Sequence, residues 1–265
     1  MKTQINSNLA SVIVVNFNNA TFLLDSINSI LKQSYKHIEI IVVDDKSTDN
    51  SLKILKNFKK KIIIIKNKKK TEHGSYNQIN AYYKGFIKSK GNYIFFLDSD
   101  DFFTKDKIKL NIKELKKKGN NLIFDLPILK FKEKIKKKKF KQKNFLFSSW
   151  PRFPPQSCIS LRREYALKIF KILKIKKFES IWFDFRIAIY EYLKNKKIKI
   201  FYKYLTYYRQ LDNSASKNYK FFSYNWWYRR NQAHQIVSFY SKKLNVKNKI
   251  TLDMILTKIL FILIK

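Results

Sequence analysis

Glycine is scarce in this chain, with four among 265 residues, at positions 74, 85, 91 and 119. None follows the first apolar run, so neither the glycine fingerprint of a dinucleotide fold nor a phosphate-cradling P-loop is present. Cysteine is scarcer still. The single Cys158 excludes a disulfide framework within the chain and a thiolate zinc cluster, and it reads as a small buried hydrophobe. Long apolar runs are missing too. Nowhere do about 18 or more apolar residues run uninterrupted, and residues 1–10 lack the apolar core of a signal peptide. A cytoplasmic location is therefore expected, with access to the inner face of the membrane. The tail Ile250–Lys265 is apolar but short and carries Asp253 and Lys258, which fits a docking or interfacial helix better than a span.

Acidic residues are few: 19 Asp and Glu against 57 Lys and Arg, for a formal charge of +38. Such a balance invites a nucleic-acid-binding reading, since clustered cations release counterions from a phosphate backbone. A blander cause has the better claim. Lys, Ile, Asn, Phe and Tyr dominate while Gly, Pro and Ala are sparse, as codon choice in an A+T-rich genome would produce. The runs Lys59–Lys61, Lys68–Lys70, Lys116–Lys118 and Lys136–Lys139 are dispersed and read mostly as solvated surface. No helix-turn-helix, zinc or single-strand-binding signature accompanies them, so no specific nucleic-acid partner is expected. A positive protein is still drawn to anionic membranes.

Apolar residues make up 45% of the chain and aromatics 16%, enough for a sizeable core. Ser11–Phe17 is a continuous β-branched run, the pattern of a strand buried on both faces. Leu23, Leu24, Ile27, Ile30 and Leu31 follow at helical spacing. Ile38–Val43 is a second strand, and Ser47, Thr48 and Asp49 offer caps for a helix beginning near Asn50. A third strand is expected at Lys61–Ile65. A helix marked by Ile79, Tyr82, Tyr83, Phe86 and Ile87 ends before Gly91, and Tyr93–Leu97 is a fourth strand. This alternation predicts an α/β fold, with a mostly parallel central sheet, helices on both faces and further helices at the C-terminus.

Ligands of open α/β sheets bind outside the carboxyl ends of the strands. Strand one runs into Asn16-Phe17-Asn18-Asn19, strand two into Asp44-Asp45, and strand four into Asp98-Ser99-Asp100-Asp101. Each cluster alone could be a turn or a helix cap. Carboxylates crowded at the end of one buried strand, however, repel unless a cation or a raised pKa relieves them. A hard divalent cation with oxygen ligands is the simplest relief. With no glycine cradle, such a cation would also have to hold any phosphates.

These residues resemble glycosyltransferase family 2, whose catalytic domain has the GT-A fold. The likeness is carried by VIVVNFNN at 12–19, IEIIVVDDKSTDNS at 38–51 and GNYIFFLDSDD at 91–101, and more weakly by WFDF at 182–185 and YYRQLDNSAS at 207–216. It implies a catalytic domain over 1–215, divided into a nucleotide-sugar-binding half (1–103) and an acceptor-side half (104–215), followed by a helical appendage (216–265). It also implies inverting transfer from a nucleotide-sugar, usually a uridine diphosphate sugar, with Mn2+ or Mg2+. By position, Asn16 and Asp45 resemble contacts to base and ribose, with Asp44 and Asn18 close by. Asp98 and Ser99 belong to the DXD motif nearest the ribose, and Asp98 and Asp100 resemble the metal ligands. Asp184 aligns with the general base that takes the proton of the attacking hydroxyl. Glu179 is the nearest alternative, and an ordinary first-turn aspartate in a helix over Ile181–Leu193 is the competing reading.

The pattern is broken in two places. Tyr82-Tyr83 stand ahead of Gly85 where many members have Arg-Asn, and Leu211 stands where many have His, leaving Arg209 and Ser214 to touch the diphosphate. His73 and His234 fall on no motif and read as structural. Trp150, Trp182, Trp226 and Trp227 could stack on sugar rings, although core roles are commoner, and Ser149–Pro155 could wall an acceptor site. The expected acceptor is a saccharide or lipid-linked saccharide for cell-surface polysaccharide, with peripheral membrane association. Asp98-Ser99-Asp100 also resembles the nucleophile motif of haloacid-dehalogenase-type phosphatases. That motif normally opens its domain and has Thr or Val where Phe102 stands here.

Overall fold

The β-branched run at 11–17 forms the heart of β1 (Asn6–Asn16) in the computed structural model, which describes residues 6–141, 150–173, 175, 177–212, 219–248 and 250–264. The first half of the domain is a regular alternation: α1 (Ala20–Leu31), β2 (Ile38–Asp44), α2 (Ser51–Lys56), β3 (Ile63–Lys66), α3 (Gly74–Lys88) and β4 (Gly91–Asp98). Strand β3 starts two residues later than its apolar run suggests. The N–H groups of Lys61 and Ile62 both bond to the Phe58 carbonyl, which closes a turn after α2.

Neighbouring side chains on β1 point to opposite faces, and both faces are covered. Ile13 and Val15 pack with Ile41, Val43 and Phe96 under α3, while Val12 and Val14 pack with Ile40, Val42, Phe95 and Leu97 under α1 and α2. Gly85 lets α3 lie this close: a Cβ there would sit 2.3 Å from Ile13 Cγ2.

The second half comprises β5 (Phe102–Phe103), α4 (Lys107–Leu115), β6 (Leu122–Phe131), β7 (Lys134–Lys137), β8 (Ile159–Arg162), α5 (Arg163–Leu173), α6 (Phe183–Asn195), β9 (Ile200–Arg209), α7 (Tyr224–Lys243) and α8 (Leu252–Leu263). Sheet order is β3-β2-β1-β4-β8-β6-β9-β5, with β7 beside β6. The first four strands are parallel. Beyond β4 the sheet is mixed, because β8 inserts antiparallel between β4 and β6, whereas β6 and β9 run parallel. Helix α6 begins later than its apolar pattern implies, since Ile181 closes a turn on Phe178 and Trp182 is extended as the N-cap. A third core cluster joins Phe185 and Ile189 of α6 to Ala233, Ile236, Val237 and Tyr240 of α7.

Lys107 is fully buried beneath this sheet. Its ammonium donates to Asp125 Oδ2 (2.5 Å), Thr206 Oγ1 (2.6 Å) and the Ser157 carbonyl (2.9 Å). Cys158 is buried as expected. Among the described residues, no helix is long and apolar enough to cross a membrane.

Candidate functional site

At the carboxyl ends of β1 and β4 lies a pocket of about 420 Å³, within the usual size range of small-molecule sites. Asp45, Asp98, Asp100, Asp184 and Arg209 all line it, so one cleft gathers residues from the ends of β2, β4 and β9 and the first turn of α6.

Asp98 is held by three donors. The Tyr82 hydroxyl (2.7 Å) and Gln78 Nε2 (3.1 Å) donate to Oδ1, and the Gln156 amide donates to Oδ2. Burial and then the charge of Asp100 push its carboxyl up to about 7, against the pull of the Gln156 and Tyr82 hydrogen bonds. Asp101 is buried below. It accepts from Ser157 Oγ at 2.6 Å and from the Arg209 backbone N–H at 3.0 Å, and burial followed by the charges of Asp100 and Asp98 holds its carboxyl well above the ordinary range. Asp100 is raised by burial, with the nearby Arg209 guanidinium pulling the other way.

Asp98, Asp100 and Asp101 each present an oxygen within 4.8 Å of the others. Three desolvated carboxylates this close are poorly tolerated when ionised unless a cation joins them. The donor set is all oxygen, so the residues fit a hard divalent cation such as Mn2+ or Mg2+.

Asp184 sits where the helix N-terminus supports a carboxylate. Its Oδ1 accepts the Phe185 N–H at 2.7 Å. Burial raises its pKa, and this hydrogen bond and the Arg229 guanidinium moderate the rise. Arg229 comes from α7, lies 4.6 Å above the Tyr219 ring and lines the same pocket. Glu179 instead pairs with His73 (3.1 Å) and accepts from the Tyr228 hydroxyl (3.4 Å).

Arg209 fastens the site together. It donates through Nη1 to the Asp100 carbonyl (2.6 Å) and through Nη2 to Asp25 of α1 (2.5 Å), with its guanidinium between the Phe22 and Phe102 rings.

Of the other residues singled out in the sequence, Asn16, Asp44 and Ser99 are buried and Asn18 is exposed, and none of the four lines the pocket. Asn16 and Asp44 are buried against each other, with Asn16 Nδ2 donating to Asp44 Oδ2 at 2.9 Å. Asn18 adopts φ 50° and accepts the Thr48 N–H at 2.8 Å, a conformation asparagine tolerates better than most residues. Buried Ser99 accepts from Asn19 Nδ2 at 3.0 Å. Ser214 lies outside the described residues.

The pocket also holds residues that sequence reasoning missed. Lys70, from a run read as mostly solvated surface, stands 2.9 Å over the Phe17 ring and lines the pocket. Gln78, Gln156, Tyr208 and Arg229 line it as well. Tyr82 had a signal, as a departure from the family pattern. Its hydroxyl now supplies a polar contact to the acidic cluster.

A family model described as glycosyl transferase family 2 matches residues 11–237. An uncharacterized glycosyltransferase of Nostoc sp. strain PCC 7120 is 31% identical over 215 residues, covering 75% of this chain and 64% of the relative. The chain spans less than two thirds of the length of the first curated relatives it matches. Among solved structures, Staphylococcus aureus TarS in complex with UDP-GlcNAc aligns with a TM-score of 0.61 at 17% identity, covering 97% of this chain and 71% of that one. The mannosyltransferase PcManGT of Pyrobaculum calidifontis, with GDP-Man and Mn2+, aligns with a TM-score of 0.55 at 12% identity, covering 94% and 68%. These two likenesses establish the same mixed α/β fold.

Proposed function

The chain belongs to glycosyl transferase family 2, and on that premise we propose that it transfers a hexose-type sugar from a nucleoside-diphosphate sugar, in the first place a UDP-sugar, to a saccharide or lipid-linked acceptor with inversion, in the building of cell-surface polysaccharide. The observation that carries this reading is the meeting of Asp98 and Asp100, two members of the acidic cluster, with Asp184 in one pocket. The nucleotide-sugars held by TarS and PcManGT support the donor class.

In this reading Asp45, backed by Asn16, Asn18 and Asp44, faces the base and ribose, and Ser99 keeps the strand end in place. Arg209 and Ser214 attend the diphosphate. Asp98 and Asp100, with Asp101 beside them, would hold Mn2+ or Mg2+, which would supply positive charge to a departing diphosphate. The acceptor hydroxyl loses its proton to the Asp184 carboxylate as its oxygen attacks the anomeric carbon from the face opposite the leaving group. No covalent enzyme intermediate is needed. Arg229 favours the ionised form of Asp184 that this step requires.

The test is calorimetric binding of a panel of nucleoside diphosphates, with and without Mn2+, to the native chain and to Asp100→Ala. Metal-dependent binding of one nucleotide, lost in the variant, is the expected result. Absence of binding by every nucleotide in the native chain overturns the reading.

A further inference from the structure

Helix α8 is turned inside out relative to a helix that faces water. It buries Asp253 and Thr257, one turn apart, while Ile255, Leu256, Ile259, Ile262 and Leu263 are 43–74% exposed. The usual surface helix does the reverse. An ion pair fixes this orientation: Arg230 Nε of α7 donates to Asp253 Oδ1 at 2.8 Å, and His234 lies 3.3 Å from Oδ2. Burial alone would raise the Asp253 pKa, yet the hydrogen bonds from His234 and Arg230 hold its carboxyl below the ordinary range.

The apolar face continues past the helix. Tyr224 stacks on Phe261 of α8 at 6.0 Å, and next to Tyr224 in the chain Phe221 and Phe222 are 72% and 65% exposed. Beside α8 opens a cleft of about 350 Å³, with Phe178, Phe239 and Met254 among its apolar lining and Lys177, Lys242 and Lys258 among its polar residues. Apolar side chains next to lysines match the two chemistries of a phospholipid surface.

We propose that this face docks on an anionic phospholipid bilayer, with the isoleucines and leucines of α8 in the boundary between headgroups and acyl chains and Lys177, Lys242 and Lys258 at the phosphates. Charge selects this occupant over a second copy. Two chains of formal charge +38 repel, whereas an anionic surface attracts. Asp253 and Thr257 hold the opposite side of α8 against the protein, so the helix lies along the interface with only its apolar face in the lipid. The inference stands apart from the transferase reading, because docking is measured without donor or turnover.

The test is flotation with vesicles of phosphatidylcholine containing about 30% phosphatidylglycerol, against pure phosphatidylcholine, at about 0.15 M salt. Ile259→Asp/Ile262→Asp should lower partitioning at least about tenfold, since each change removes an apolar side chain from the interface. Lys59→Asp/Lys118→Asp lowers the net charge by more at exposed sites on α2's turn and beyond α4, and should keep most of the binding. Lys177→Gln/Lys242→Gln/Lys258→Gln should lose the preference for phosphatidylglycerol. Near-ultraviolet circular dichroism reports whether each variant retains the native fold. Binding by a folded Ile259→Asp/Ile262→Asp equal to the native chain overturns the proposal, as does an equal loss in Lys59→Asp/Lys118→Asp, which would mean that bulk charge alone acts. A native dimer in sedimentation velocity that Ile259→Asp/Ile262→Asp dissociates also overturns it, by naming a second copy as the occupant.

Discussion

Replacing Tyr82 by phenylalanine removes one oxygen and leaves the ring between Phe96 and Phe183, whose centroids lie 4.9 and 4.8 Å away. The lost hydroxyl donates to Asp98 Oδ1 at 2.7 Å. A hydrogen bond to a charged acceptor contributes about 1.5–3 kcal/mol, and about 1.4 kcal/mol corresponds to one pKa unit. The Asp98 carboxyl, pushed up to about 7 in the native chain, should therefore rise by roughly one to two units in Tyr82→Phe. Cations compete with protons for this carboxylate, so Mn2+-dependent nucleotide binding weakens as pH falls through the pKa. At pH near 7 the variant should bind roughly tenfold or more weakly, and at pH near 9 it should approach the native affinity. Titration calorimetry across this range, in two buffers of different ionisation enthalpy, gives both affinity and protons released. The reasoning is refuted if the midpoint of the pH dependence in Tyr82→Phe stays where it is or moves down.

Asp184→Asn should lower kcat by about 10²–10⁴-fold while nucleotide affinity holds, as steady-state kinetics and calorimetry together would show. In the metal-free chain, Asp98, Asp100, Asp101 and Asp184 all have raised pKa values. The folded state then binds more protons than the unfolded state above the ordinary carboxylate range, so the stability present below that range is lost as pH rises through about 7 for Asp98. Melting temperature should fall between mildly acidic and neutral pH without metal, and Mn2+ should recover it at the neutral end. Lys107→Met strands the buried Asp125 carboxylate, and chemical denaturation should register a loss of about 3–5 kcal/mol.

The parallel half of the sheet was legible because β1, β2 and β4 are continuous apolar runs ending in polar clusters, a pattern that fixes strand direction and site together. Asp184, which lines the pocket, is singled out by the family resemblance alone, since an aspartate in a first helical turn has an ordinary explanation. Insertion of β8 between β4 and β6 was not legible. Ile159–Arg162 is four residues long, and its partners are chosen by tertiary packing. The same holds for Gln156, Tyr208 and Arg229, which reach the pocket only when β8, β9 and α7 are in place. Lys107 could not be distinguished from the many surface lysines, because burial of a lysine depends on the Asp125 and Thr206 that fold around it. Asn16 and Asp44 show the converse: they end β1 and β2 as the pattern predicts, but the Asn16 amide turns to the Asp44 carboxylate behind the pocket.

The β8 insertion bears on how the chain is made. Strand β4 is paired on one edge by β1, which precedes it, and on the other by β8, which follows some 60 residues later. At about 5–20 residues per second, the ribosome leaves that second edge open for roughly 3–12 seconds, with the three aspartates beside it. An unpaired edge carrying Tyr93, Ile94 and Phe95 is a template for wrong pairing. The emerging chain therefore passes through an interval in which β1 to β4 can pair while the outer flank of β4 is still uncovered.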